Sequence, residues 1–148
     1  MTAADPKQTN GSVVHFVHFG DRAIPRLRVI FRLINNIIHE PAFNILRTQE
    51  QLGYIVGSSE WLGTEYMGLR VVVQSERDTK YVESRIEAFY THMAGVLEQM
   101  SPAQFEEHKK GLVHEWNKKL KSLREEYYRF FEAIQSGYLD FSRGMCCA

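Results

Sequence analysis

Tyr66–Ser75, YMGLRVVVQS, places Met67, Leu69, Val71 and Val73 on one side and Tyr66, Gly68, Arg70 and Gln74 on the other. That period-two alternation marks a strand buried on one face. Tyr54–Ser58 supplies a pairing partner across a Ser59–Glu65 hairpin loop that carries Gly63. The apolar side of such an antiparallel pair must be covered by helices. Upstream, Ser12–Phe19 (SVVHFVHF) is rich in Val and Phe and reads as a further short strand, closed by the turn signal Gly20-Asp21. His15 and His18 have opposite parity in it and point to opposite faces, which argues against a metal-binding pair.

The covering helices are legible on both sides of this centre. From Arg22 to His39, the residues Leu27, Ile30, Phe31, Ile34, Ile37 and Ile38 recur at helical spacing, with Pro25 placed in the first turn where a missing N–H costs nothing. Pro41 is expected to stop that helix and to open a short second one, Ala42 to about Gln49, which Gly53 ends. Phe43 and Leu46 are expected to pack that short helix onto the core. Downstream, Asp78 can cap a helix that buries Val82, Ile86, Phe89, Met93 and either Val96 or Leu97. Ser101-Pro102-Ala103-Gln104 is a capping box with proline at the first helical position, and Ser122-Leu123-Arg124-Glu125 repeats the logic for a last helix running to Gly137. The fold class is therefore α+β, an antiparallel or mixed sheet with helices layered on one face.

Composition narrows the function classes. The chain has 148 residues, 44% hydrophobic and 24% charged, with 18 basic and 18 acidic side chains. One core is affordable on that composition, and no global field favours a phosphate backbone or an anionic membrane. Nucleic acid and membrane partners are not expected. Met1–Gly11 is a polar lead-in with nothing to bury, residues 12–143 read as a single domain, and 144–148 as a divergent tail. Cys146 and Cys147 are adjacent and offer neither a disulfide framework nor a chelating spacing. With no apolar signal-like run, a reducing compartment, cytoplasmic in the first instance, fits best, with mitochondrion and peroxisome left open.

Hydrolytic chemistry is not evident from the residues alone. A helical zinc site needs His-Glu-x-x-His or its inverse. His39-Glu40 runs into Pro41, His114-Glu115 is followed by Trp116, Asn117 and Lys118, and Glu107-His108 has no histidine three residues before the glutamate. No zinc ligand is assigned in this chain. There is no Gly-x-Ser-x-Gly elbow, and Gly57, Gly63 and Gly68 form no phosphate loop.

One run is more specific. Glu40–Val56, EPAFNILRTQEQLGYIV, resembles a signature of the insulin-degrading enzyme (insulysin) family of pitrilysin-type inverted-zincin metallopeptidases. The similarity continues through Gly68-Leu69-Arg70, Gln74-Ser75-Glu76 and Val82–Phe89, then more loosely to about Arg143. The resemblance implies a pitrilysin-like (LuxS/metallopeptidase-like) domain, the last of four homologous ones, with zinc held in a partner or in a missing N-terminal half. It implies that Arg47 and Tyr54 face the bound peptide beside that zinc, as catalytic supports and substrate-binding residues. A guanidinium and a phenol aimed at a developing oxyanion would stabilise it. Read without the resemblance, Arg47 is a salt-bridge partner for Glu50 and Tyr54 an ordinary strand aromatic. Gln49, Glu50 and Gln51 are assigned turn and surface roles. Family members continue past Arg143 with a further helical segment. The chain is thus expected to be a truncated or alternatively spliced product with an incomplete core, prone to self-association. Two functions follow: the substrate-contacting portion of a zinc metalloendopeptidase, inactive alone, or a non-catalytic peptide- or subunit-interaction module.

Overall fold

In the computed structural model, which describes residues 9–137 and 141, three strands are β1 (Gly11–Asp21), β2 (Ile55–Leu62) and β3 (Tyr66–Ser75). The helices are α1 (Pro25–Ala42), a π-helix (Phe43–Gln49), α2 (Thr79–Gln99), α3 (Pro102–Trp116) and α4 (Leu123–Gln135). The sheet is antiparallel throughout, in the order β1-β3-β2. The alternating strand is therefore the central one, with Val71 facing His15 on one side and Ser58 on the other. Met67, Leu69, Val71 and Val73 are buried as their parity requires.

Their burial partners come from two helices on the same face. Phe31, Leu33, Ile37 and Ile38 of α1 and Val82, Ile86, Phe89 and Met93 of α2 join the strand residues in one cluster. α1 lies against β2, and α2 against β1. At the C-terminal end of α2, Leu97 packs on the cluster while Val96 is exposed. The opposite sheet face stays open, with Val14, Phe16, Ile55 and Trp61 exposed. The α+β class and the one-sided helical layer are as expected from the sequence.

Capping follows the sequence closely. Asp78 accepts hydrogen bonds from the backbone N–H groups of Lys80 and Tyr81, and Ser101 and Gln104 form the reciprocal box at the start of α3. Ser101→Ala should cost about 1 kcal/mol of stability, read as a lowered denaturant midpoint with unchanged slope. At α4, Ser122 accepts from the Glu125 N–H, but the Glu125 carboxylate bonds the N–H of Lys121, one residue earlier than a standard box. Gly137, with φ of 75°, adopts the left-handed conformation that ends the helix.

Three expectations are corrected. The hairpin loop is shorter than Ser59–Glu65, because β2 starts at Ile55 and continues to Leu62. Ser59, opposite Arg70, stays in the ladder since the open face tolerates a polar group, and Arg70 donates from Nε and Nη2 to the Ser59 hydroxyl. Glu60, opposite the buried Leu69, lies on the helix-covered face and pairs with Arg32 of α1 at 3.6 Å. Pro41 does not stop α1; the chain continues to Ala42 and then directly into the π-helix. A proline lacks the N–H for an i→i−4 bond. The Phe43 N–H bonds the His39 and Glu40 carbonyls just beyond it, so helical bonding resumes within two residues, and the widening to i→i−5, as in Glu50 N–H to Ile45 C=O at 2.9 Å, comes farther on. The turn that ends this segment falls at Gln51, with φ of 49°, and not at Gly53.

The phenol of Tyr90 on α2 bonds to nothing among the described residues, its ring resting 5.4 Å from that of His15. Burial pushes its pKa up to about 12. An unfolded tyrosine ionises near pH 10, so this residue's contribution is fully present below about pH 10 and is lost as pH rises through about 12. Tyr90→Phe should flatten alkaline unfolding in that window, measured by denaturant titrations at stepped pH.

Candidate functional site

The π-helix and the turn behind it place the two residues singled out in the sequence. Ala42, Leu46 and Leu52 are buried and anchor the segment from beneath. The Leu52 N–H donates to the Leu46 carbonyl at 3.0 Å, and the Leu52 carbonyl accepts from the buried Ser75 hydroxyl at the end of β3. Ser75 Oγ in turn accepts from the Arg77 N–H at 3.0 Å. Gly53 runs so close to β3 that a Cβ there would sit 1.7 Å from the Gln74 carbonyl oxygen. The backbone from 46 to 53 is thus clamped from the core side and from the strand side.

Arg47 and Tyr54 emerge from opposite ends of that clamp and meet. The Arg47 guanidinium carbon lies 5.0 Å from the Phe43 ring centroid and 5.2 Å from that of Tyr54. Tyr54 is 81% exposed and precedes β2, so it is neither a core residue nor a ladder residue. Phe43 does not pack into the core as expected; it is exposed and serves as one wall for the arginine. Its displacement follows from the π-helical turn, which shifts the face that a three-residue spacing from Leu46 would share.

The expected competitor for Arg47 is engaged elsewhere. The Glu50 carboxylate accepts from Arg85 Nε at 2.8 Å and Arg85 Nη2 at 2.6 Å, a forked pair reaching across from α2. Arg47 makes no hydrogen bond or ion pair among the described residues. A guanidinium stacked on aromatic rings keeps its in-plane N–H donors for a carbonyl or carboxylate ligand. Arg85 and Ser75 were not singled out from sequence, since no local pattern links them to residues 35 and 23 positions away.

No metal cage accompanies this pair: among the described residues, no three His, Cys, Asp or Glu side chains gather to hold an ion. His39 Nδ1 lies 3.0 Å from the Ser58 carbonyl oxygen, and His18 rests against Tyr66. A cleft of about 750 Å³ opens between α1 and α4, lined by Arg28, Arg32, Lys118, Lys119, Arg124 and Tyr128 among others. Among the described residues, no helix is long and apolar enough to cross a membrane.

Comparison with known proteins places the chain and its fold. Residues 33–131 match the family of PQQ synthase PqqF-like proteins, C-terminal lobe domain 4. The chain is 37% identical over 141 residues to the A-factor-processing enzyme of Saccharomyces cerevisiae, covering 95% of this chain and 14% of that protein. It is 39% identical over 115 residues to the insulin-degrading enzyme of Homo sapiens, covering 78% of this chain and 11% of that protein. In fold it superposes on the crystal structure of pitrilysin with a TM-score of 0.76 at 22% identity, over 93% of this chain and 15% of that one. The chain spans a small fraction of each relative's length.

Proposed function

This chain belongs to the PQQ synthase PqqF-like C-terminal lobe domain 4 family, and from that premise we propose that it supplies peptide contacts to a zinc metalloendopeptidase resembling insulin-degrading enzyme. The zinc ligands come from a separate N-terminal half or a related subunit bearing His-x-x-Glu-His. Arg47 and Tyr54 are the residues assigned to substrate. The observation that carries this reading is an arginine with no acidic partner among the described residues, held between two aromatic rings beside an exposed tyrosine.

Zinc, when bound by the other half, supplies an activated water. The task left to this chain is to hold the peptide and meet the charge that builds on the scissile carbonyl oxygen. Arg47 offers planar N–H donors and Tyr54 a phenolic O–H, both acting without large reorganisation because the 46–53 backbone is clamped. Peptides are the substrates, and the compartment proposed is cytoplasmic.

A second reading rests on a different observation. Along α4, Leu123, Tyr127, Phe130, Phe131 and Ile134 are exposed, and only Ala133 of that helix is buried. An apolar stripe of this kind suits a subunit or self-association interface, the use expected of a non-catalytic interaction module. The two readings part on one assay: cleavage of a fluorogenic peptide by a zinc-bearing N-terminal half, with and without this chain. Stimulation that Arg47→Ala removes supports the first. Peptide binding with no stimulation at any ratio of the two halves overturns it in favour of the second.

A further inference from the structure

Glu50 stands three residues from Arg47, at most about 11 Å along the chain, a gap that the long side chains of an arginine and a glutamate can close. It is the acid that would neutralise Arg47. In the fold it does not, because the Arg85 fork takes both carboxylate oxygens from 35 residues away. The side chains are 39% exposed for Arg85 and 19% for Glu50, so the carboxylate is the more enclosed partner and its direction is set by what it bonds. The acid nearest to Arg47 along the chain is thus held by the forked geometry from α2.

We propose that Arg85 keeps Arg47 open to a peptide carbonyl or carboxylate by holding the Glu50 carboxylate away from it. Arg85 is then a positioning residue, acting on the ligand only through Glu50 and Arg47. This inference rests on the peptide-contact reading of Arg47. It differs from a plain structural latch in one respect: the harm in losing Arg85 comes from the freed negative charge, and removing that charge cures it.

The test uses the full 148-residue chain and two readouts. In the first, NMR of the arginine side chains follows Arg47 Nε–H. Arg85→Ala should shift this resonance and slow its solvent exchange as Glu50 moves onto it, and Arg85→Ala combined with Glu50→Gln should return it to the native position. In the second, fluorescence anisotropy of fluorescein-labelled insulin gives the affinity. Arg85→Ala should weaken binding by about two- to five-fold, the range of an exposed ion pair, whereas Glu50→Gln alone and the double variant should bind as the native chain does. A latch predicts the reverse: Glu50→Gln alone would weaken binding as much as Arg85→Ala, with no rescue in the double variant, and that result overturns the inference. Glu50→Gln also decides the matter if Arg85→Ala fails to fold. Full binding by Arg47→Ala would instead sink the peptide-contact reading, with the NMR arm still deciding where Glu50 goes.

Discussion

Gly53→Ala is expected to unfold or severely destabilise the chain, by about 3 kcal/mol or more. The added Cβ would lie 1.7 Å from the Gln74 carbonyl oxygen and 2.8 Å from its carbonyl carbon. Both are backbone atoms of the central strand, held in register with Ser12 on β1 and Ile55 on β2. Neither can rotate aside as a side-chain tip would, so relief requires moving the strand or the turn. Overpacking a well-filled site typically costs about 1–3 kcal/mol, and a backbone collision belongs at the upper end. A turn displacement would also break the bond from Ser75 Oγ to the Leu52 carbonyl and move Tyr54, the next residue. Chemical denaturation should show the midpoint falling sharply. An unfolding free energy within about 0.5 kcal/mol of the native chain's would mean that residue 53 does not approach β3 so closely.

On the function proposed above, in which this chain stimulates a zinc-bearing half, Arg47→Ala is expected to remove nearly all of that stimulation. Loss of one preorganised donor to a developing oxyanion typically costs about 2.7–4 kcal/mol, on the order of 10²- to 10³-fold in kcat. Stability should change little, because Arg47 is bonded to no acid among the described residues and its contacts are with two exposed rings. Tyr54→Phe tests the phenol separately: the ring remains as a wall for Arg47 while the O–H donor is lost, so the loss should fall on kcat with KM nearly unchanged. Equal loss in Arg47→Ala and in an unfolding control, with a matching drop in melting temperature, would assign the effect to folding instead.

Residues 66–75 announce the central strand, and the spacing of apolar residues in α1 and α2 announces the layer that covers it, because both signals are periodic and local. Ser101 with Gln104 and Asp78 before Lys80 are equally local, each cap being closed within four residues. The signature run around Arg47 and Tyr54 pointed to the candidate site by resemblance and not by chemistry, since seven-residue spacing alone brings no two side chains together. The hairpin ends, the passage through Pro41 and the exposure of Phe43 were misjudged for a common reason. Each depends on how the surrounding fold receives the residue: an open sheet face for Ser59 and the Arg32 guanidinium of α1 for Glu60, a helix that resumes its bonding at Phe43 just beyond the proline, and a surface position for a residue that reads as core.

What the sequence alone determined is the α+β class, the identity of the buried strand and the starts of α2, α3 and α4, all governed by periodicity and by donors within a turn of their acceptors. The tertiary structure alone decided that Glu50 pairs with Arg85 and leaves Arg47 to its aromatic walls, and that Ser75 and Gly53 clamp the turn between Leu52 and Tyr54. Those contacts join positions 21 to 35 residues apart, and no periodicity encodes them, because they arise only once α2 and β3 are packed against the end of the π-helix.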